Sequence, residues 1–234
     1  MDLVPRLSGR HPAPLPDTRP RNVLSPRHRC TPVNEQRAAW EDAYAGRDPV
    51  WKGPPPGGLE LVPGGRVLEL GCGNGKTLAA LARSAETVGL DIARNALRAC
   101  SPGPALVQGD ATRLPFADRS FDAVVAFHVL GHLAERERTE AVSEALRVLR
   151  PGGRLVVREF SVRDMRCGRG AEVEPMTFLR GTGIATHYFT AAELRALLGE
   201  LEEEVLREEV TAKRYGPGTQ RAELVGAFRR RDGH

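Results

Sequence analysis

Val67-Leu68-Glu69-Leu70-Gly71-Cys72-Gly73-Asn74-Gly75-Lys76-Thr77 reads as a buried strand with an acid near its end, a glycine-rich turn and the start of a helix. Strand, turn and helix in that order make a cradle for a nucleotide. Gly71, Gly73 and Gly75 let the backbone turn tightly and approach a ligand that a side chain would block. The helix beyond the turn offers free N–H donors. A dinucleotide fingerprint spaces its glycines as G-x-G-x-x-G. Here the third glycine comes one residue early and Lys76 takes its place, giving E-x-G-x-G-x-G. Taken alone this is also the pattern of a plain turn, so the downstream sequence has to decide.

Further strands follow in order. Thr87-Val88-Gly89-Leu90-Asp91 is a short apolar strand ending in an acid, and Asp91 lies 20 residues after Gly71. That spacing suits a carboxylate that accepts from ribose hydroxyls. Ala105 to Ala111 is a third strand with Asp110 at its end, and Ala123 to Phe127 is a fourth. Gly109-Asp110-Ala111, Leu114-Pro115-Phe116 and Ser120-Phe121-Asp122 form a continuous motif between them. Leu146 to Gly153 reads as a helix running into a turn, and Arg154 to Val157 as a fifth strand. Asp91 and Asp110 each also suit a helix N-cap. What separates the readings is that Glu69, Asp91 and Asp110 all fall at carboxyl ends of strands, where open α/β sheets bind ligands.

From about residue 60 to 160 this series resembles the class I S-adenosylmethionine (SAM) dependent methyltransferases, of the methyltransferase type 11 domain, with Glu69 to Gly75 as their motif I. The resemblance implies an α/β, Rossmann-like, doubly wound sheet of seven strands, mostly parallel with an antiparallel last strand. It implies SAM as cofactor. Glu69, Gly71, Cys72, Gly73 and Gly75 would then cradle the methionine and ribose side, Asp91 and Ile92 the ribose, and Asp110 and Ala111 the adenine, with Phe127 closing the set.

Residues 158–196 carry a second resemblance. Arg158-Glu159-Phe160-Ser161-Val162-Arg163-Asp164-Met165 and Phe178-Leu179-Arg180-Gly181-Thr182-Gly183, with Tyr188-Phe189-Thr190-Ala191-Ala192-Glu193-Leu194, are similar to the matching part of the tRNA 3-methylcytidine methyltransferases. The aromatic, basic and acidic block that those enzymes carry before motif I is not evident here. The similarity implies action on RNA, at a tRNA base, with a small activating protein subunit as a further expected partner. Arg158, Arg163, Arg166, Arg169 and Arg180 would meet phosphates and Tyr188 would stack on a base. The alternative for the arginines is a salt-bridged surface with Glu172 and Glu174. The runner-up function is a small-molecule methyltransferase of quinone or isoprenoid type, since the Gly109 to Phe116 motif is frequent there. A non-catalytic SAM-binding protein is the third reading.

Methyl transfer from a sulfonium needs positioning and removal of water, and a base only where the nucleophile carries a proton. His128 and His132 follow the fourth strand, near the expected methyl group. Either is a base or a substrate contact. Glu159 and Asp164, after the fifth strand, are further candidates for a catalytic acid or base.

Composition supports this frame. The chain has 234 residues, 41% of them hydrophobic, and a net charge of +4, which permits nucleic acid without demanding it. The cysteines, Cys30, Cys72, Cys100 and Cys167, are scattered without a C-x-x-C pair, so neither a metal site nor a disulfide framework is expected and a reducing cytoplasm fits. No membrane span or apolar leader is read. Residues 1–35 are dense in Pro and Arg and read as a mobile arm; residues 36–60 as a segment covering the cofactor; residues 61–234 as the methyltransferase domain. In the covering segment Glu35 to Tyr44 reads as a helix with Trp40 and Tyr44 on one face, and Trp51 is a candidate substrate contact. Towards the end, Thr190 to Glu193 is a capping box for a helix at Leu194–Leu198. Glu203–Arg214 and Ala222–Arg229 read as closing strands joined by a hairpin at Gly216-Pro217-Gly218.

Overall fold

The computed structural model describes residues 33–46, 55–212 and 220–232. The arm up to residue 32, Trp51 and the Gly216-Pro217-Gly218 hairpin lie outside them.

Among the described residues, ten strands and five α-helices follow one another in the order the sequence leads one to expect, with two surprises. The strands are β1 (Gly65–Leu70), β2 (Ala85–Asp91), β3 (Ala105–Gln108), β4 (Phe121–Phe127), β5 (Leu149–Phe160), β6 (Ala171–Glu174), β7 (Thr177–Leu179), β8 (Ala185–His187), β9 (Glu202–Ala212) and β10 (Gln220–Arg229). The helices are α1 (Val33–Tyr44), α2 (Lys76–Leu81), α3 (Arg94–Arg98), α4 (Glu135–Val148) and α5 (Ala191–Leu197). Seven strands form one sheet in the order β3-β2-β1-β4-β5-β10-β9. Pairs among β1 to β5 are parallel, whereas β10 is antiparallel to both β5 and β9, so β10 alone runs against the rest. This is the expected doubly wound sheet with its reversed last strand.

Period-two alternation assigns each strand residue to one of two cores. Leu68, Val124, Ala126, Leu155, Val157 and Phe228 face the side covered by Ala141, Val142 and Ala145 of α4 and Leu194 of α5. Val67, Ala123, Val125, Val156 and Ala227 face the other side with Leu81 of α2. Both faces of a parallel sheet need such cover, which explains why the strands are apolar on both sides.

The first surprise is β5. The Arg150-Pro151-Gly152-Gly153 turn is absorbed into it as an irregularity: Phe121 pairs with Leu149, yet Ala123 pairs with Arg154. The second is a separate antiparallel sheet, β6-β7-β8. Its last strand meets the 3-10 turn Leu130–His132, where His132 Nδ1 lies 2.8 Å from the Ala185 carbonyl oxygen. Thr190 caps α5 as read, its hydroxyl accepting from Glu193 N at 3.1 Å.

Phe121 tests the first core. It is fully buried, meets Phe116 edge-to-face at 5.1 Å, and carries the Arg66 guanidinium 5.0 Å from its ring centre. Phe121→Ala is expected to cost about 3–5 kcal/mol of stability, read from urea unfolding midpoints. A loss below about 1 kcal/mol would mean that the core closes over the space.

Candidate functional site

The carboxyl edge of the parallel strands carries a cavity of about 290 Å³. One end is built from the glycine-rich turn. Gly71, Gly73 and Gly75 have φ of 61°, 53° and 75°, the left-handed region where a Cβ is strained. The turn is held from β2: Asp91 Oδ2 accepts from Gly73 N and Oδ1 from Ala93 N, both at 2.8 Å. Asp91 therefore organises the cradle while lining it, and burial pushes its carboxyl up against those two bonds. A carboxylate has about four acceptor positions, so two remain for ligand hydroxyls.

Glu69 is 3% exposed and lines the same cavity, and its Oε2 is buried without a hydrogen-bond partner. Burial, with Cys100 and Asp91 nearby, raises its carboxyl well above the usual range. An orphaned buried oxygen facing a cavity is costly unless a ligand donor meets it. Asp110 Oδ1 accepts from Thr112 N and from its hydroxyl, both at 2.8 Å, and leaves Oδ2 outside that turn. Cys72, Ile92, Ala111 and Phe127 line the cavity too.

Gly75 does not line it. A Cβ there would meet Cys100 Sγ at 2.9 Å, so this glycine serves the left-handed start of α2 and the packing of Cys100. At Gly71 and Gly73 the added Cβ would meet Val129 Cγ2 at 2.6 Å and Tyr44 Oη at 2.5 Å. These two make room for side chains that wall the cavity.

The roof is α1. Gln36, Trp40 and Tyr44 line the cavity, and Gln36 Oε1 is a second buried oxygen without a partner. Glu41, on the same helix, accepts from Arg94 N at 2.8 Å and Asn95 N at 2.9 Å, so it caps α3 and fixes the roof to the sheet. Trp40 also meets His132 edge-to-face at 4.9 Å.

The far end follows β4. His128 has φ of 57°, donates its N–H to the Arg158 carbonyl at 2.7 Å and stacks on Phe160 at 4.1 Å. Its Nε2 lies 3.2 Å from Glu223 Oε1. Burial lowers the His128 imidazole below its usual range and brings His132 down to about 4. His128, Val129, His132, Leu133, Arg221 and Glu223 all line the cavity.

Five sequence expectations need correction here. Glu159 is fully buried and does not reach the cavity. Its carboxyl accepts from Val129 N at 3.0 Å, Leu130 N at 2.8 Å and Gly131 N at 3.2 Å, so it anchors the loop that carries both histidines. Arg158 is also buried; it donates to Glu223 Oε2 from Nη2 at 2.6 Å and to Glu209 Oε2 from Nη1 at 2.9 Å. Arg180 donates to the Tyr188 hydroxyl at 2.6 Å and to the Arg166 carbonyl at 3.2 Å. Tyr188 is 0% exposed, packed by Phe160 and Phe178, and has no face to offer a base. Asp164 is buried as well and holds Arg166 and Arg221, each at 2.8 Å. Arg158, Arg163 and Arg166 pair with Glu209, Glu223, Glu208 and Asp164, and Glu174 pairs with Arg138.

Arg221 and Glu223 are charged cavity-lining residues that the sequence reading passed over. Their signal was an i, i+2 pair of charges in an otherwise apolar strand, which puts both on one face. Because β10 runs antiparallel, its beginning meets the end of β5, with Glu223 paired to Phe160. Among the described residues, no group of His, Cys, Asp and Glu has the arrangement to hold a metal ion, and no helix is long and apolar enough to cross a membrane.

Residues 68–157 match the family model of a methyltransferase domain. A demethylmenaquinone methyltransferase of Beutenbergia cavernae is 43% identical over 120 residues, covering 50% of this chain and 49% of that protein. A tRNA (carboxymethyluridine(34)-5-O)-methyltransferase of Arabidopsis thaliana is 39% identical over 102 residues, covering 42% of this chain and 25% of that one. The chain thus spans about half the length of the demethylmenaquinone relatives it matches. A solved SAM-dependent methyltransferase of Methanosarcina mazei superposes with a TM-score of 0.61 at 27% identity, covering 72% of this chain and 93% of that chain.

Proposed function

We propose, from the premise that this chain carries a class I SAM-dependent methyltransferase domain, that it transfers the methyl group of SAM to a small planar molecule. The cavity's nucleoside end fits SAM. The orphaned Glu69 Oε2 and the remaining acceptor positions of Asp91 suit amino and hydroxyl donors, Asp110 and Ala111 an adenine edge, and Gln36 a further donor from above. When bound, SAM supplies a methyl carbon already activated by its sulfonium. The protein's share is orientation and exclusion of water, which the α1 roof serves.

The observation that carries the small-molecule reading is the largely apolar wall of the far end. Trp40, Val129, His132 and Leu133 wall it under α1. Arg158, Arg166 and Arg180, which an RNA backbone would need, are engaged with carboxylates, a carbonyl and a tyrosine within the fold. The likeness to demethylmenaquinone methyltransferases supports the same reading over 120 residues.

The test is transfer of labelled methyl from SAM, by the full chain, into a small-molecule extract and into unmodified tRNA in parallel. Asp91→Ala serves as the cofactor-blind control. Label in the extract, abolished in the variant, is expected. Label confined to tRNA would replace the small-molecule reading by an RNA one. Absence of label with intact SAM binding would leave a SAM-binding protein.

A further inference from the structure

The 3-10 turn Leu130–His132 presents an imidazole held from three sides. Its backbone is gripped from β5, where the Glu159 carboxyl accepts from Leu130 N at 2.8 Å and Gly131 N at 3.2 Å. A Cβ at Gly131 would meet Glu159 Oε2 at 2.9 Å and the His187 carbonyl oxygen at 3.1 Å, so the turn is wedged between β5 and β8. Two contacts aim the ring itself. His132 Nδ1 lies 2.8 Å from the Ala185 carbonyl oxygen at the start of β8. A carbonyl oxygen only accepts, so Nδ1 carries the hydrogen and Nε2 the lone pair. Trp40 of the roof meets the ring edge-to-face at 4.9 Å. Nε2 has no hydrogen-bond partner among the described residues and is not one of their sealed-off polar atoms, so it opens on the cavity that the ring lines.

We propose that His132 Nε2 meets the hydroxyl of a planar phenol or enol and takes its proton during methyl transfer. This rests on the methyl-transfer reading above. In the step, a lone pair of the hydroxyl oxygen forms the new O–CH3 bond, and the pair of the broken carbon–sulfur bond stays on sulfur as a thioether. The O–H pair stays on oxygen as the proton passes to Nε2, and the imidazolium then gives that proton to water. A lone pair aimed into the cavity asks for a hydrogen donor. A hydroxyl is one, whereas a carboxylate or an unprotonated ring nitrogen is not. An ammonium donates but has no lone pair with which to attack. Trp40, Val129 and Leu133 beside the imidazole suit a ring rather than a polar chain.

The electrostatics agree. Burial lowers the His132 imidazole to about 4; the bond to Ala185 opposes this, and His128 before it, Arg166 after β5 and Arg180 after β7 add to it. The ring is therefore neutral near pH 7 and its lone pair is available. A neutral ring also spares a nearby sulfonium any like charge. So weak a base suits a neutral hydroxyl. An oxygen that has gained a methyl while keeping its proton is a far stronger acid than an imidazolium, so the proton moves as the new bond forms.

The experiment uses the full chain with S-adenosylhomocysteine, and phenol and its methyl ether, anisole, as probes. Phenol is neutral at about pH 7, as the tyrosine side chain is. NMR of isotope-labelled imidazole nitrogens is expected to show His132 Nε2 unprotonated in the free protein, shifted by phenol and left in place by anisole. An Nε2 signal that phenol does not move, or no binding of phenol, overturns the proposal, and this wild-type spectrum decides even where a variant fails to fold. His132→Phe keeps a ring against Trp40 and removes both nitrogens. It is expected to lower the ratio of phenol affinity to anisole affinity about fivefold or more, with S-adenosylhomocysteine affinity within about threefold of wild type. An unchanged ratio overturns the contact. On the acceptor labelled above, His132→Phe is expected to lower kcat about a hundredfold, and undiminished kcat overturns the proton-accepting role. Failure of wild type to bind S-adenosylhomocysteine sinks the methyl-transfer reading and this proposal with it, whereas binding without a response to phenol sinks this proposal alone.

Discussion

Gly73→Ala is expected to weaken SAM binding by about a hundredfold or more, equivalent to roughly 3 kcal/mol. Two costs combine. The residue holds φ of 53°, where an L side chain costs about 1–2 kcal/mol. The added Cβ would also stand 2.5 Å from the Tyr44 hydroxyl oxygen and 3.5 Å from Cζ. No real contact is that short, so the Tyr44 side chain, the turn or α1 must move. The turn resists, because Gly73 N is bonded to Asp91 Oδ2 at 2.8 Å. Helix α1 gives way more easily, and the roof over the cofactor lifts with it. Calorimetric titration with SAM measures the loss. Adding Tyr44→Ala to the Gly73→Ala background separates the causes: recovery of most of the affinity assigns the loss to the roof, and no recovery assigns it to the backbone. Affinity within threefold of wild type in Gly73→Ala itself would mean that the turn is not the cradle.

That turn was also the most legible part of the chain. A strand, three alternating glycines and a helix leave few other geometries, and Asp91 and Asp110 announce themselves as acids at the ends of apolar runs. The sheet order follows from the same alternation, since β1, β2 and β4 are apolar on both faces and must lie inside. Signals of two residues or less were harder to read. Strands β6 to β8 have four, three and three residues, too short to show a period. The arginines of 158–180 carry a charge that sequence reveals, but their partners come from β9, β10 and the loop at Asp164, up to 65 residues away. Sequence shows the charge and conceals the neutralising carboxylate, so a salt-bridged network reads as a free basic surface. Tyr188 misleads for a related reason: it reads as a stacking surface for a base, yet it is fully buried between Phe160 and Phe178. Glu159 was legible as special and was given the wrong task, because an acid after β5 faces either the ligand or the neighbouring loop and only the turn at Val129 to Gly131 decides.

Glu159→Gln should change how stability depends on pH more than it changes stability at acid pH. Burial raises the Glu159 carboxyl from 4.5 to about 8, against the bonds from Leu130, Gly131 and Val129 and the charge of Arg138. A folded value above the unfolded one means that the folded chain retains a proton the unfolded chain has lost. The contribution is therefore fully present below about pH 4.5, declines as pH rises, and is gone above about pH 8. The slope approaches about 1.4 kcal/mol per pH unit inside that window. Glutamine carries the same oxygen towards Val129 and Leu130 and does not titrate. Wild type and variant should match within about 1 kcal/mol near pH 5, and the variant should gain about 3–4 kcal/mol on wild type by pH 8. Urea unfolding at several pH values gives the two curves. Parallel curves, with glutamine lower throughout, would show that three backbone donors keep the carboxylate ionised across the range. The comparison bears on function because this side chain holds the turn between His128 and His132. A carboxyl that ionises there near pH 8 loosens or tightens the one loop that places both histidines at the cavity. Glu159→Gln should therefore flatten the alkaline side of the stability profile, near pH 8, and leave the acid side unchanged.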